Sequence, residues 1–293
     1  MKRLFFFLIL FLGVSFATQA QEPVKRALVF GLGEQLDPSW GKINGDKDVD
    51  YVKLMLSDTG YTDVVVLKNK QATKQAMVNA FVALANRCRK GDVVYVHYSG
   101  HGQLMTDVDG DESLKWEGKK HSQWDEAWVP YDAFINYCEA DKGEKHLSDD
   151  EVAMYLTAIR KKVGPEGEIM VVVDACHSGD ATCANADVPV PPVRGIGVKF
   201  NIPLQPLEPG EVVEPQVVEE QWLTVSASKP FQLNTEMGYP NVGKLTYALY
   251  SIGAGAFSKD ADELQKLLST FMEQHKGYLP QSPMVTGAKK AKQ

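Results

Sequence analysis

The stretch Ile169-Met-Val-Val-Val-Asp174-Ala-Cys-His-Ser-Gly179 decides the fold, because an unbroken apolar run is followed at once by polar and small residues. A strand made of apolar residues alone is buried on both faces, which is typical of a parallel sheet covered by helices. Val93-Val-Tyr-Val-His-Tyr98 repeats the pattern and runs into Ser99-Gly-His-Gly102. Sites in such sheets form beyond the carboxyl ends of the strands, so we expect these two polar segments to meet there.

Strands and helices alternate along the rest of the chain. We predict further strands at 27–33, 63–67 and 222–226, and helices at 46–58, 73–87, 148–162 and 260–274. Thr73 and the capping box from Ser148 to Glu151 mark two of the helix starts. The sequence therefore predicts an α/β fold, with a mostly parallel central sheet and helices on both faces.

The N-terminal residues have the three-part pattern of a secretory signal peptide. Lys2 and Arg3 precede the apolar run Leu4–Phe16, and small residues follow as far as Ala20. We predict a signal peptide at residues 1–20, an exported protein that is periplasmic or secreted, and one domain at 21–293. A retained single-pass anchor is the alternative, although the run is short for a stable membrane span.

The composition is that of a globular protein with an excess of acid: 293 residues, 24% of them charged, and a net charge of −7. Removal of Lys2 and Arg3 with the signal peptide leaves 29 basic against 38 acidic residues, a net charge of −9. Such a chain is poorly suited to nucleic acid or anionic membranes and favours basic partners.

The four cysteines, Cys88, Cys138, Cys176 and Cys183, lack the spacing of zinc ligands, so we expect no structural zinc site. In an oxidising compartment Cys88 could pair with Cys138, and the sequence leaves this open. A reactive Cys176 requires that Cys176 and Cys183 stay reduced.

Cys176 and His101 form the candidate catalytic pair. A thiol becomes a strong nucleophile when a nearby base takes up its proton, and both residues follow buried strands with glycine close by. The backbone N–H groups of Gly102 and Cys176 are then placed to stabilise an oxyanion. Taken singly, the cysteine is also explained as a small core residue and the histidine as a polar loop residue.

The two polar segments resemble the motifs of the caspase and metacaspase family. Tyr98-Ser-Gly-His-Gly102 is similar to the histidine motif and Asp174-Ala-Cys-His-Ser-Gly179 to the cysteine motif, in the family's order. The resemblance spans roughly Lys25 to Lys276. It implies a caspase-like three-layer sandwich and an exported bacterial cysteine endopeptidase of the metacaspase type, monomeric, with a Cys–His dyad and no required cofactor. His177 competes with His101 as the base, but adjacent side chains diverge, so a supporting role is expected for it.

The resemblance also implies a substrate pocket. Asp174 matches the acid that selects Arg or Lys in metacaspases, and Ser99 matches another pocket position. Asp48 resembles an early acid of the family through a one-residue gap, which leaves Asp46 as the alternative. Caspases select Asp, but an acidic pocket attracts a cation, so we expect protein or peptide substrates that are cut after Arg or Lys.

Residues 103–127 are predicted to form an acidic loop, in which Asp107-Val-Asp-Gly-Asp-Glu112 places oxygen donors at alternate positions, as Ca²⁺ prefers. The resemblance implies an activating calcium site with Asp109, Asp125 and Glu126 as ligands. The loop is longer than in the family, and Asp180 is the one acid near the family's further ligand. A solvated acidic loop is therefore the alternative.

A Pro-rich segment at about 187–220 is predicted to be an exposed linker between the large and small parts of the domain. Caspase-like chains are often cut there, so Arg194 and Lys199 are candidate sites of self-cleavage, and a passive linker is the alternative. The strand at 222–226, with Glu236 beyond it, resembles the one that borders the family's cleft, which makes Ser226 to Ser228 candidate cleft residues. Two other functions stay open: a catalytically silent caspase-like binding module, and a caspase-fold peptidase of the clostripain or gingipain type.

Overall fold

The computed structural model describes residues 22–112, 124–176, 192–204, 220–230, 232–277 and 279–291. The described residues contain the strands β1 Lys25–Gly31, β2 Asp63–Lys68, β3 Val93–Ser99, β4 Gly102–Thr106, β5 Trp124–Trp128, β6 Leu147–Ser148, β7 Glu168–Asp174, β8 Leu223–Ser226 and β9 Met284–Gly287. The predicted apolar runs form the centre of a six-stranded sheet with the order β2-β1-β3-β7-β8-β9. Every neighbouring pair in it is parallel except β8 and β9, which are antiparallel.

Helices cover both faces of this sheet, and they are α1 Gly45–Asp58, α2 Lys74–Arg87, α3 Asp149–Val163, α4 Lys244–Ile252, α5 Gly255–Ser258 and α6 Ala261–Gln274. In β1, Leu28 and Phe30 pack with α2 and α3 in one apolar cluster, whereas Ala27 and Val29 pack with α1, α4 and α6 in another. Alternate residues of a strand point to opposite faces, so each apolar strand contributes side chains to both clusters. The predicted three-layer α/β sandwich is confirmed.

The helix starts are where the capping residues predict them. The Thr73 hydroxyl accepts a hydrogen bond from the Ala76 N–H, which begins α2. The Ser148 hydroxyl accepts from the Glu151 N–H and the Glu151 carboxylate accepts from the Ser148 N–H, which begins α3. The first orphan N–H groups of each helix therefore have partners, and both starts lie within one residue of the prediction.

A second, three-stranded antiparallel sheet has the order β4-β5-β6. It occupies both ends of the segment 103–127, so the prediction of a loop over that whole range is wrong. The strands are short, and Gln103, Asp125 and other polar residues in them are buried, which hid the alternation that marks a strand. This sheet begins at Gly102, directly after the histidine motif, and therefore borders the site.

The signal peptide predicted at 1–20 and much of the Pro-rich segment lie outside the described residues. Among the helices that the structure describes, none is long and apolar enough to cross a membrane. Cys88 and Cys138 are free thiols and are not bonded to each other, and burial raises the pKa of Cys88 to about 12. Cys183 lies outside the described residues.

Candidate active site

The register of the central sheet brings the two motifs to one edge. β3 and β7 are parallel neighbours, and Ser99 pairs with Asp174 at their carboxyl ends. The Gly100 N–H donates to the Asp174 carbonyl 3.4 Å away, just beyond this pair. His101 and Cys176 each follow by two residues, so both leave the same edge of the sheet, as the sequence predicts.

His101 is buried, and one of its ring nitrogens has a fixed partner. Its Nε2 lies 2.6 Å from the Gly41 carbonyl oxygen, which can only accept, so Nε2 carries the proton. Its Nδ1 is buried and has no hydrogen-bond partner in the described part of the chain. Burial lowers the pKa of His101 to about 4, and the charge of Arg194 lowers it further against the effect of the Gly41 hydrogen bond. The imidazole is therefore neutral at ordinary pH, with an unprotonated Nδ1.

The predicted oxyanion donors converge on one oxygen atom. The Cys176 N–H donates to the Arg194 carbonyl oxygen at 2.7 Å, and the Gly102 N–H donates to the same oxygen at 3.2 Å. The Cys176 thiol is buried and donates to the Gln232 carbonyl, 3.1 Å away. A carbonyl of the Pro-rich segment thus occupies the place predicted for a reacting carbonyl.

The Arg194 side chain fills a pocket made by the predicted acids. Its Nη1 lies 2.6 Å from Asp48 Oδ2 and 3.6 Å from Asp174 Oδ1, and it donates to Ser99 Oγ at 2.5 Å. The same Ser99 hydroxyl is hydrogen-bonded to Asp48. The guanidinium is fully buried, so the structure brings Asp174, Ser99 and Asp48 together around a cation. The alternative, Asp46, instead accepts a hydrogen bond from Asn69 at 3.3 Å.

Glu236 is a third acid in this pocket, and the sequence marks it only as an acid beyond the strand that resembles the border of the cleft. Its Oε1 accepts from Arg194 Nε at 3.1 Å and from Nη2 at 2.9 Å. It lies 42 residues beyond Arg194 in the chain. Gly243 closes the pocket, since a Cβ there would lie 2.1 Å from Asp174 Oδ2 and 2.6 Å from Arg194 Nη1. A larger residue at that position would displace the guanidinium.

The charges in the pocket are strongly interdependent. Burial raises the pKa of Asp48 even though Arg194 opposes it, and the neighbouring Asp174 adds to the rise. Burial acts in the same sense on Asp174, but Arg194 and hydrogen bonds from Asn234 and Thr246 outweigh it, so the pKa of Asp174 is lowered. Several buried carboxylates around one site make it strongly selective for a positive charge.

The backbone before Arg194 is bound as an extended strand. The Arg194 N–H donates to the Asn234 carbonyl at 2.9 Å, and the Glu236 N–H donates to the Pro192 carbonyl at 3.0 Å. Val193 and Thr235 form an antiparallel bridge between these bonds. Strand addition of this kind is a common way to bind a peptide backbone irrespective of its side chains.

The residue after Arg194 lies against the cysteine. A Cβ on Gly195 would come within 2.2 Å of the Cys176 carbonyl oxygen and 3.1 Å of Cys176 Cβ. Only glycine fits this approach without movement of the backbone. The Arg194–Gly195 peptide bond therefore lies directly beside the predicted nucleophile.

Other residues of the site carried no signal that marks them in the sequence. The Trp40 ring lies against the His101 ring, tilted by 32° with centroids 5.0 Å apart, and the Gly41 carbonyl fixes the tautomer of His101. Of the candidate cleft residues, Ser228 donates to the Gln232 carbonyl that also accepts from Cys176. His177 and Asp180 lie outside the described residues.

Acidic side chains of the predicted calcium loop cluster beside β4 and β5. Asp107, Asp111 and Asp125 have carboxylate oxygens within 4.8 Å of one another, and so do Asp109, Asp111 and Asp150. The predicted ligands Asp109 and Asp125 are each in one group, and Glu126 is in neither of the groups formed by described residues. Burial raises the pKa of Asp125 to about 8, with the nearby acids adding to the rise. An oxygen-only donor set of this kind fits Ca²⁺.

Comparison with solved structures agrees with this architecture. A protein of Geobacter sulfurreducens superimposes with a TM-score of 0.61 at 20% identity, over 90% of this chain and 93% of that one. Caspase-1 of Spodoptera frugiperda superimposes with a TM-score of 0.58 at 14% identity, over 92% of this chain and 90% of that one. At such identities the likeness establishes the fold.

Sequence comparison gives the family. Metacaspase-1 of Meyerozyma guilliermondii is 33% identical over 127 residues, 41% of this chain and 26% of that protein. Metacaspase-1 of Eremothecium gossypii is 32% identical over 143 residues, 46% of this chain and 27% of that protein. The chain thus matches about a quarter of the length of these relatives. The model of the metacaspase, peptidase C14 domain matches residues 25–184, more than half of the chain, and the protein therefore belongs to the metacaspase family.

Proposed function

We propose that this protein is a cysteine endopeptidase that cuts after Arg, and less readily after Lys, with Cys176 and His101 as its dyad. Membership of the metacaspase family implies a cysteine peptidase. The observation that carries the specificity is the placement of Arg194: its side chain lies among three carboxylates and its carbonyl oxygen accepts from Gly102 and Cys176. Arg194 is bound as a substrate residue would be.

The proposed chemistry follows from this arrangement. His101 Nδ1 takes the thiol proton as Cys176 Sγ attacks the carbonyl carbon, and the two N–H groups of Gly102 and Cys176 stabilise the oxyanion. The peptide C–N bond then breaks, the proton passes from His101 to the leaving amine, and a thioester remains on Sγ. Water, deprotonated by His101, hydrolyses the thioester to a carboxylic acid and regenerates the thiol.

Peptides that differ only in the residue before a fluorogenic amine test the specificity. We expect kcat/KM to fall in the order Arg, Lys, Asp, because Asp48, Asp174 and Glu236 repel a carboxylate. A preference for Asp would contradict the proposal. A clostripain or gingipain type of peptidase would give the same order, so this assay does not separate it from a metacaspase.

The runner-up, a catalytically silent binding module, makes a different prediction for the thiol. An Arg-chloromethylketone should label Cys176 in the wild-type protein and fail to label His101→Ala, since alkylation needs the base. Absence of labelling in a folded wild-type protein would favour the silent module.

We also propose that the protein cuts itself between Arg194 and Gly195. Arg194 is favoured over Lys199, whose ammonium lies over the Trp124 ring, 4.3 Å from its centroid. Intact-mass analysis should show fragments that end at Arg194 and begin at Gly195 in the wild type and in Lys199→Ala. A single uncut mass is expected for Cys176→Ala and Arg194→Ala. A single uncut mass for the wild type as well as for Cys176→Ala would rule out self-cleavage.

Two further proposals concern conditions of action. The acidic groups beside β4 support a site for activating Ca²⁺, in which Asp107, Asp111 and Asp125 would supply oxygen ligands. Activity unaffected by chelator and by added Ca²⁺ would argue against the calcium site.

The N-terminal pattern at 1–20 supports export to the periplasm or the outside of the cell, and we propose that the exported protein is a monomer, as the family resemblance implies. A mature protein that retains Met1 would argue against export.

A further inference from the structure

Residues 195–202, here called the primed-side segment, follow the Arg194–Gly195 bond and run along β4. Gly195 forms a parallel bridge with Gly102, the first residue of β4, and Phe200 forms one with Met105 near its end. The Phe200 N–H donates to the Leu104 carbonyl at 2.8 Å, and the Thr106 N–H donates to the Phe200 carbonyl at 3.0 Å. The segment is therefore an added edge strand of the small sheet.

Two side chains anchor this segment in apolar pockets. Ile196 packs against the cluster of Trp40, Val129 and Ala133, which lies beside His101. Phe200 is fully buried against Met105 and Ala127, and its ring centroid lies 4.4 Å from that of His146.

Between Ile196 and Phe200, a side chain of the small sheet binds the backbone of the segment. Gln103 Nε2 donates to the Val198 carbonyl at 2.9 Å, and Gln103 itself is positioned by a 2.8 Å hydrogen bond between its Oε1 and His146 Nε2. The Val198 side chain is exposed. β4, Gln103 and the two apolar pockets thus form a groove. The groove binds the backbone of the segment and the side chains of the second and sixth residues after the Arg194–Gly195 bond.

We propose that this groove along β4 is the binding site for the part of a substrate that follows the cut bond, and that the primed-side segment competes for it after self-cleavage. The proposal rests on the proposed peptidase function. It predicts substrates with glycine first, a branched aliphatic residue second and an aromatic residue sixth after the cut. Because the segment stays tethered to the domain, its effective concentration is about millimolar, so long substrates must displace it.

Two substrates with the same residues before Arg test this in the full-length, self-cut protein. The short one carries a fluorogenic amine directly after Arg. The long one is internally quenched and continues with Gly-Ile-Gly-Val-Gln-Phe-Asn-Ile, which is the sequence of 195–202 with Gln for Lys199 so that one basic residue remains. We expect Phe200→Ala to raise kcat/KM for the long substrate about tenfold, since an aromatic anchor is lost from the competitor. The short substrate should change less than twofold.

The control is Leu204→Ala, an exposed residue just beyond the segment, which should change neither substrate. Equal effects of Phe200→Ala on both substrates, or no effect, would overturn the inference. If that variant fails to fold, the wild type decides: it should cut the long substrate faster than a version with Ala second and sixth, and equal rates would overturn the inference. A wild type that does not cut even the short substrate would instead contradict the proposed function.

Discussion

Glu236 holds the Arg194 guanidinium from the side opposite to Asp48. Its Oε1 contacts Nε and Nη2, whereas Asp48 and Ser99 contact Nη1. A lysine ammonium is a single point charge and cannot reach both sides of the pocket at once. Glu236 is therefore the residue that we expect to separate Arg from Lys in the proposed activity.

Glu236→Gln should lower kcat/KM for Arg substrates about 30-fold, and for Lys substrates much less, because a charge-assisted pair with the guanidinium is lost. Steady-state assays on matched Arg and Lys peptides measure the ratio. Asn44 is the other side-chain partner of Glu236, so Asn44→Ala is the matched control and should leave the ratio unchanged. An equal loss on both peptides would mean that Glu236 only supports the fold of the pocket.

Because the pKa of His101 is lowered, we expect self-cleavage to continue at a lower pH than a histidine base with an ordinary pKa would allow. The base must be neutral, and with Arg194 in the pocket its pKa is about 4 rather than the ordinary 6.5. The rate of self-cleavage should therefore stay level as pH falls from 7 to about 5 and decline as pH passes through about 4. Protein refolded from urea into buffers of different pH, followed by intact mass, measures this, with circular dichroism to confirm folding. A decline centred near pH 6.5 would contradict the assignment.

At the scale of elements, the sequence predicts whatever one local pattern specifies. The strands β3 and β7 coincide with the apolar runs that predict them. The helices α2 and α3 begin at the predicted caps, Thr73 and Ser148. The sequence does not predict the small sheet, since β4 pairs with a strand across a long insertion and with the Pro-rich segment. No helix is predicted at α4 either. An edge strand made by Pro192–Arg194 has no pattern of its own, because its partners are backbone groups of 234–236.

Gly195→Ala tests the close approach of the added strand to the nucleophile. The new Cβ would lie 2.2 Å from the Cys176 carbonyl oxygen, so the scissile bond must move away from the thiol. We expect self-cleavage to slow about 100-fold, because small displacements at a reacting centre are costly. The rate is read from intact mass over time. Gly238→Ala, where a Cβ meets nothing within 4 Å, is the control and should cut at the wild-type rate. Unchanged cutting by Gly195→Ala would show that the bond reacts from another position.

At the scale of the whole molecule, the site gathers residues that are far apart in the chain. Asp48 and Arg194 are 146 residues apart, and Gly243 N and Asp48 are 195 apart. Of the pocket residues, Ser99 and Asp174 sit in the two motifs, and the register of the central sheet pairs them. The sequence does not predict that Glu236 lies in the pocket or that Arg194 occupies it, because both depend on how the second half of the chain packs on the first.

The small sheet connects the proposed oxyanion donor, Gly102, to the proposed calcium site. β4 begins at Gly102, whose N–H donates a hydrogen bond to the Arg194 carbonyl, and it ends next to Asp107 of the acidic cluster. A cation bound by Asp107 and Asp125 would join the turn after β4 to β5, the neighbouring strand. Calcium is thus expected to act on the oxyanion donor and on the groove through one short strand.

Calcium binding should strengthen with pH, because the proton and the cation compete for Asp125. Its pKa is about 8, so below that pH the carboxyl is mostly protonated and must lose its proton to become a ligand. The apparent affinity should therefore fall about tenfold per pH unit below 8 until another group limits it. Titration calorimetry of Cys176→Ala in two buffers with different ionisation heats measures the released proton. Asp125→Asn should weaken binding and abolish the proton release, whereas the exposed Asp58→Asn should do neither. Equal heats in both buffers would show that Asp125 does not bind the ion.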